Sequence, residues 1–315
     1  MYNKGSDMHN ITYQDKIEAL LKHYGFSTKL AEALHVHRMS IPNWRDGKVE
    51  ISKENRLNID VLYAIHCVVP FLKKQDIDIE VKKLEKENHL PFLDNIDIVT
   101  EVSKKNAFGS LEVEVVDTNE TLFYKVVDGN YIEKDIDKRK FLEMSNLAFI
   151  TKQILVDTLE GRIVTLDSEL IKKWHFGLMT GIRDDAGRYS TKMRIIPDTK
   201  VTLTRAEDIP EEMEYWISKY AKVKSIYDIA YAHEHFELIH PFGDGNGRVG
   251  RLIMAHQFLK LGLLPPMIDG HNKALYYATL ETAQIDGNII PLVYFLIQAT
   301  KRMKEKLGIA NYFDR

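Results

Sequence analysis

The sequence predicts a mainly α-helical protein, and three observations carry that reading. Apolar residues recur at helical spacing through most of the 315 positions. Glycines fall just past several of those segments, where a left-handed residue ends a helix. Strand-type patterning is confined to two short stretches. The length exceeds one ordinary domain, so an accessory module beside a larger core is expected. A formal net charge of -3, with 28% charged and 44% hydrophobic residues, argues neither for a membrane surface nor for a general nucleic-acid coat. The single cysteine, Cys67, excludes an intrachain disulfide framework and fits a reducing compartment. The leading MYNKGSDMHN lacks the apolar core of a signal peptide. No run reaches the roughly 18 to 20 apolar residues of a membrane helix, so a cytoplasmic protein is expected.

Element by element, residues 1–66 read as a small helical domain. IEALLKHYG, TKLAEALHV, a piece ending in NWRDGK, and RLNIDVLYAI each carry helical periodicity, with Gly25 and Gly47 as stops. Residues 67–138 read as a charged connector containing a small antiparallel β element, Leu111–Glu133, on its valines, aromatics and the turn signals DTNE and DGN. Residues 139–163 form a further helix stopping at Gly161, and 164–315 a helical core. The segment Gly187–Leu203, GRYSTKMRIIPDTKVTL, interrupts that core as a projecting β-hairpin turned by Pro197, Asp198 and Thr199.

The chemistry concentrates in HPFGDGNGRVGR, His240–Arg251, between two predicted helices. Pro241 disfavours helical angles at His240, so the first helix ends there with its imidazole at the loop edge. Gly243, Gly245 and Gly247 remove side-chain bulk where successive backbone N–H groups turn toward one bound group, as in a phosphate cradle. The following helix adds its unpaired amides and the positive end of its dipole. Arg248 and Arg251 stand in the first turn, the wrong end of that dipole for a cation, which makes sense once an anion arrives. Their i, i+3 spacing shares one face and suits different oxygens of a polyphosphate. Asp244 would repel that anion unless a hard cation stood between them, the way Mg²⁺ is used with nucleotides. Asn246 offers an amide hydrogen bond to a phosphate oxygen, and His240 is the nearby group able to take a proton near neutral pH. A metal-hydrolase reading of HEHFELIH fails the HExxH spacing, and on a helix His233, His235 and Glu237 diverge into surface or partly buried packing roles.

HPFGDGNGRVGR resembles, at every defining position, the Fic motif, His-Pro-Phe-x-Asp/Glu-Gly-Asn-Gly-Arg-x-x-Arg. The resemblance runs over about Ser168–Leu307: the 187–203 hairpin is similar to the family's flap, and HNKALYYATL to the segment closing its nucleotide pocket, with Tyr276 or Tyr277 at the base. It implies a protein adenylyltransferase moving AMP from Mg²⁺–ATP to a protein hydroxyl docked at the flap. His240 would be the base and Asp244 the metal ligand. Asn246, the loop amides and Arg248 would grip the phosphates, and Arg251 the terminal one. Many members hold themselves off with a helix reading Ser/Thr-x-x-x-Glu-Gly/Asn, whose glutamate takes the second arginine. VDTLEG, Val156–Gly161, resembles it, which makes Glu160 the expected inhibitor, although Val156 replaces the Ser/Thr. FSTKLAEALHVHRMSIPNWRDGK resembles a phage-repressor helix-turn-helix, with a second helix near Arg38 or Ser40 and Pro42 admissible only in its first turn. Charges in the first 66 positions nearly cancel, so DNA binding through residues 11–66 stands beside protein docking. Two further functions stay open: a transferase using another nucleotide or phospho-donor, and a DNA-binding regulator whose core senses nucleotide.

Overall fold

The computed structural model describes residues 11–87, 89–115, 118–130, 137–196 and 199–309. Four short helices come first: α1 (Tyr13–Tyr24), α2 (Ser27–Ala33), α3 (Ser40–Arg45) and α4 (Lys53–Tyr63). They close around Ile17, Leu20, Leu30, Ile41, Trp44 and Ile59. Thr12 and Asp15 cap α1 reciprocally, and Gly25 ends it at φ 77°. The second helix of the expected pair begins at Ser40 and is six residues long, with Pro42 in its first turn. Helix α4 runs on into a π-turn, Ala64–Val68, and a 3₁₀ turn, Val69–Phe71. The boundary expected at residue 66 therefore falls inside a continuous helical stretch.

The connector belongs to the main body. Ile77, Val81 and Leu84 of α5 (Lys74–Glu85) pack in one cluster with residues of the last two helices, α14 (Lys273–Asp286) and α15 (Ile290–Lys306). The small β element is not formed among the described residues. Leu111–Glu114 complete α7 (Ile96–Glu114), which follows the short α6 (Leu90–Leu93), and Glu120–Val127 form α8. Burial outweighs the strand preference of the valines: Leu111 and Val113 bury on α7, Phe123 and Val126 at i, i+3 on α8. Part of the turn signal is a cap, because the Asn119 side chain accepts from Leu122 N at 2.9 Å, and Gly129 at φ 72° closes the helix. Residues 116, 117 and 131–133 of that expectation lie outside the described residues.

Helix α9 (Lys138–Leu159) runs through the centre, packed by α7, α8, α10 (Ser168–Met179) and α13 (Asn246–Lys260). Helices α11 (Ile209–Tyr220) and α12 (Ile226–Ile239) complete this layer. The 187–203 hairpin is the second correction: its described residues form no strand ladder, with a turn at Gly187 and bends at Arg188 and Lys192, and Pro197 and Asp198 lie outside them. The strap instead fastens to the end of α12, Ser190 N donating to Pro241 O at 2.8 Å and Thr204 N to Leu238 O at 3.1 Å.

Candidate active site

Helix α12 ends at His240, which takes the left-handed region at φ 49°, ψ 57° and donates its N–H to Phe236 O. Pro241 thus drives the residue out of the helix, but into a left-handed cap rather than an extended one. A β-substituted residue there is strained, and the loop holds it by several bonds. Gly245, at φ 79°, turns the chain into α13. Asp244 Oδ1 accepts from Gly245 N at 2.6 Å and from Arg248 Nη2 at 3.1 Å. His240 lies largely buried, and that burial lowers its pKa, leaving the imidazole neutral at neutral pH.

Beneath the loop lies His175 of α10, which sequence reasoning missed. Its ring stacks on Phe242 at 3.8 Å. Nδ1 accepts from Gly187 N at 2.9 Å, and Nε2 donates to Asp244 O at 3.0 Å. Opposite polarities at the two nitrogens fix one neutral tautomer, and burial pushes the pKa down to about 4. One ring thereby ties the start of the strap to the glycine loop.

Arg251 is buried and already occupied. Its Nη2 donates to Glu114 Oε1 at 2.7 Å and Ser110 O at 3.2 Å, and its Nε donates to Ser110 Oγ at 2.8 Å, all from the last turn of α7. A side chain at Gly247 would stand 2.5 Å from Glu114 Oε1, so this glycine clears the approach of the carboxylate to the amino end of α13. The Glu114 carboxylate therefore stands beside Gly247, in the first turn of α13. Burial pushes the Glu114 carboxyl up, but the Arg251 charge beside it prevails and holds it below its ordinary value.

Residues 165–258 match the Fic/DOC family. The chain carries a Fic/DOC domain. A protein adenylyltransferase Fic of Drosophila mojavensis is 34% identical over 95 residues, 29% of this chain and 18% of that protein. Its Aedes aegypti counterpart is 40% identical over 73 residues, 23% and 14% of the two chains. The match thus spans less than a fifth of these relatives. Solved Fic structures are similar in fold at low identity. C. elegans Fic-1 gives a TM-score of 0.58 at 16% identity over 96% of this chain and 83% of that one. A Fic domain containing signaling protein from Bacteroides thetaiotaomicron gives 0.62 at 16% identity, over 75% and 97%.

Around the motif three expectations change. Glu160 does not reach Arg251: it caps the carboxyl end of α9, 52% exposed at its side chain, and pairs with Arg162. Asn246 faces the loop rather than a ligand. Its Oδ1 accepts from Phe242 N and its Nδ2 donates to Phe242 O, both at 2.8 Å, so the amide clamps the turn. Tyr276 is core, fully buried with its hydroxyl 2.7 Å from His233 Nε2, whereas Tyr277 is 45% exposed. The remaining motif residues lie together in the loop and first turn: Gly243 under the Arg183–Asp185 pair, Gly245 and Gly247 at the turn, Arg248 buried with Nε lacking a hydrogen-bond partner among the described residues. The Asp244 carboxyl is part-exposed, a hard oxygen donor of the kind Mg²⁺ takes, and among the described residues there is no group of three or more metal-ligating side chains. No described helix is long and apolar enough to cross a membrane.

Proposed function

We propose that this chain transfers AMP from Mg²⁺–ATP to a hydroxyl group of a protein, its own included, and that Glu114 keeps it at rest. The observation that carries this is the Glu114 carboxylate seated over Gly247 and paired with Arg251, an anion in the place a phosphate would take. A carboxylate there, at the positive end of α13, is attracted by the same amides and guanidinium groups that attract phosphate.

The residues divide the work as follows. The loop amides, the amino end of α13, Arg248 and, once released, Arg251 hold the phosphates in line with the attacking oxygen. Neutral His240 takes the hydroxyl proton as its O–H bond breaks and the new O–P bond forms at the α-phosphorus, with pyrophosphate leaving. Asp244 would hold Mg²⁺, which supplies charge neutralisation on the phosphates. The strap at 187–203, fastened beside His240 through Ser190 N and without a strand ladder among its described residues, would dock an extended target segment by main-chain pairing. Asn246 and His175 keep the loop in shape.

The test is intact-mass spectrometry after incubation with ATP and Mg²⁺. Glu114→Gly should gain an AMP adduct that wild type shows weakly and the double variant with His240→Ala lacks. An adduct of another mass transfers the reading to a different donor, and one that persists without His240 overturns the base assignment.

A further inference from the structure

Glu237 lies one turn before His240 on α12, and the proposed chemistry gives it no work. The residue is 5% exposed, and its Oε1 has no hydrogen-bond partner among the described residues. Its Oε2 stands 3.7 Å from His240 Nδ1, and its main-chain oxygen stands 3.3 Å from the same nitrogen. Burying a carboxyl this way costs stability rather than adding it. The chain concedes more to keep it: Gly250 in the middle of α13 bears no side chain, and a Cβ there would lie 2.4 Å from Glu237 Oε1, with His233 and Phe236 at 3.2 Å. A mid-helix glycine is itself unfavourable. Two unfavourable choices meet behind one imidazole.

We infer that Glu237 is a positioning residue for His240: its carboxyl oxygen accepts a hydrogen bond from Nδ1–H, holds the ring in that tautomer, and so leaves the Nε2 lone pair free to take the target's proton. This rests on the AMP-transfer reading for its consequence, and on the geometry alone for the tautomer. Burial pushes Glu237 up to about 8, yet either protonation state keeps an acceptor oxygen beside Nδ1, so the role does not depend on charge. The main-chain oxygen accepts a long hydrogen bond from Nδ1 at 3.3 Å, and the carboxyl oxygen at 3.7 Å lies beyond hydrogen-bond length, a gap of the kind that closes when substrate tightens a site. The arrangement follows the general logic of a base oriented by a third group through its far nitrogen.

The experiment compares wild type, Glu237→Gln and Glu237→Leu in full-length protein. The glutamine keeps an acceptor oxygen, and the leucine keeps only volume. The first readout is nitrogen-15 NMR of the histidine rings, with His240→Ala assigning the His240 signals. Wild type and Glu237→Gln should be Nδ1–H, and Glu237→Leu should shift toward Nε2–H. The second readout is AMP transfer in the Glu114→Gly background. Glu237→Leu should lower kcat on the order of tenfold or more with KM for ATP unchanged, and Glu237→Gln should recover most of it. An Nε2–H ring in folded wild type, or a Glu237→Leu protein with wild-type tautomer and turnover, overturns the inference. If no variant transfers AMP, the functional reading fails while the ring tautomer still decides the role of Glu237.

Discussion

Arg251 and Glu114 stand 137 positions apart in the chain and 2.7 Å apart in space, and Ser110 one turn before Glu114 completes the grip on the guanidinium. Ser110 and Glu114 share one face of α7 because they are four apart. The last turn of α7 thus holds Arg251 at the amino end of α13, and on the proposed function whatever moves that turn frees Arg251 for a phosphate.

Glu114→Gly should therefore tighten nucleotide binding and raise AMP transfer, while Glu160→Gly should change neither. Removing a competitor worth 1.4 kcal/mol is about a factor of ten in affinity. Without ligand the same variant strands a buried guanidinium, and breaking such a pair costs about 3–5 kcal/mol. Calorimetric titration with ATP and a melting curve with and without nucleotide check both halves. Stronger activation by Glu160→Gly would return the switch to α9.

What the sequence made legible follows from distance along the chain. The loop from His240 to Arg251 is contiguous, so its chemistry could be read directly, and helical periodicity gave the fold class. Glu114 was hidden because Val113 and Val115 look like strand residues; reading 111–133 as β removed the helix on which Ser110 and Glu114 align. VDTLEG attracted the assignment by its glutamate and glycine, but its helix is the packed centre of the fold. His175 gave no local signal, since a lone histidine on an apolar helix face is indistinguishable from core until Asp244 and Gly187 close around it.

Replacing His175 should disturb the loop more than the core. His175→Leu leaves Gly187 N–H and Asp244 C=O without their partner, at about 1–3 kcal/mol for each buried group left unpaired. Urea denaturation should show that loss, and nucleotide affinity should fall with it because the strap and the cradle lose their common pin. Full stability with weakened binding would assign the ring to the loop alone. Unchanged binding would remove it from the site.

Acid should destabilise the fold below about pH 6.5 through buried neutral histidines. Burial lowers His175 and His256 to about 4 and His233 to about 3. The unfolded chain takes up protons on these rings near 6.5 while the folded chain refuses them, so stability present above 6.5 is lost as pH falls toward 4. Each ring contributes a slope of about 1.4 kcal/mol per pH unit across that window. Urea midpoints at pH 7.5, 6 and 5 measure the slope. His256→Gln, whose partner is Thr158 Oγ1 at 2.8 Å, should flatten it, and an identical slope in that variant would show that its ring titrates freely.

Gly250→Ala sets two effects of opposite sign against each other. In an exposed helix interior the change stabilises by about 1 kcal/mol. At this position the new methyl would meet Glu237 Oε1 at 2.4 Å and the rings of His233 and Phe236 at 3.2 Å, and overpacking of a filled interior costs about 1–3 kcal/mol. Glu237 is buried and cannot swing into solvent, so the net effect should be destabilising, and the displaced carboxyl should disturb His240. A double-mutant cycle separates the terms: with Glu237→Ala already made, Gly250→Ala should lose most of its penalty. If the penalty is the same in both backgrounds, the clash is with the rings, and Gly250 is a packing glycine rather than room left for the carboxyl.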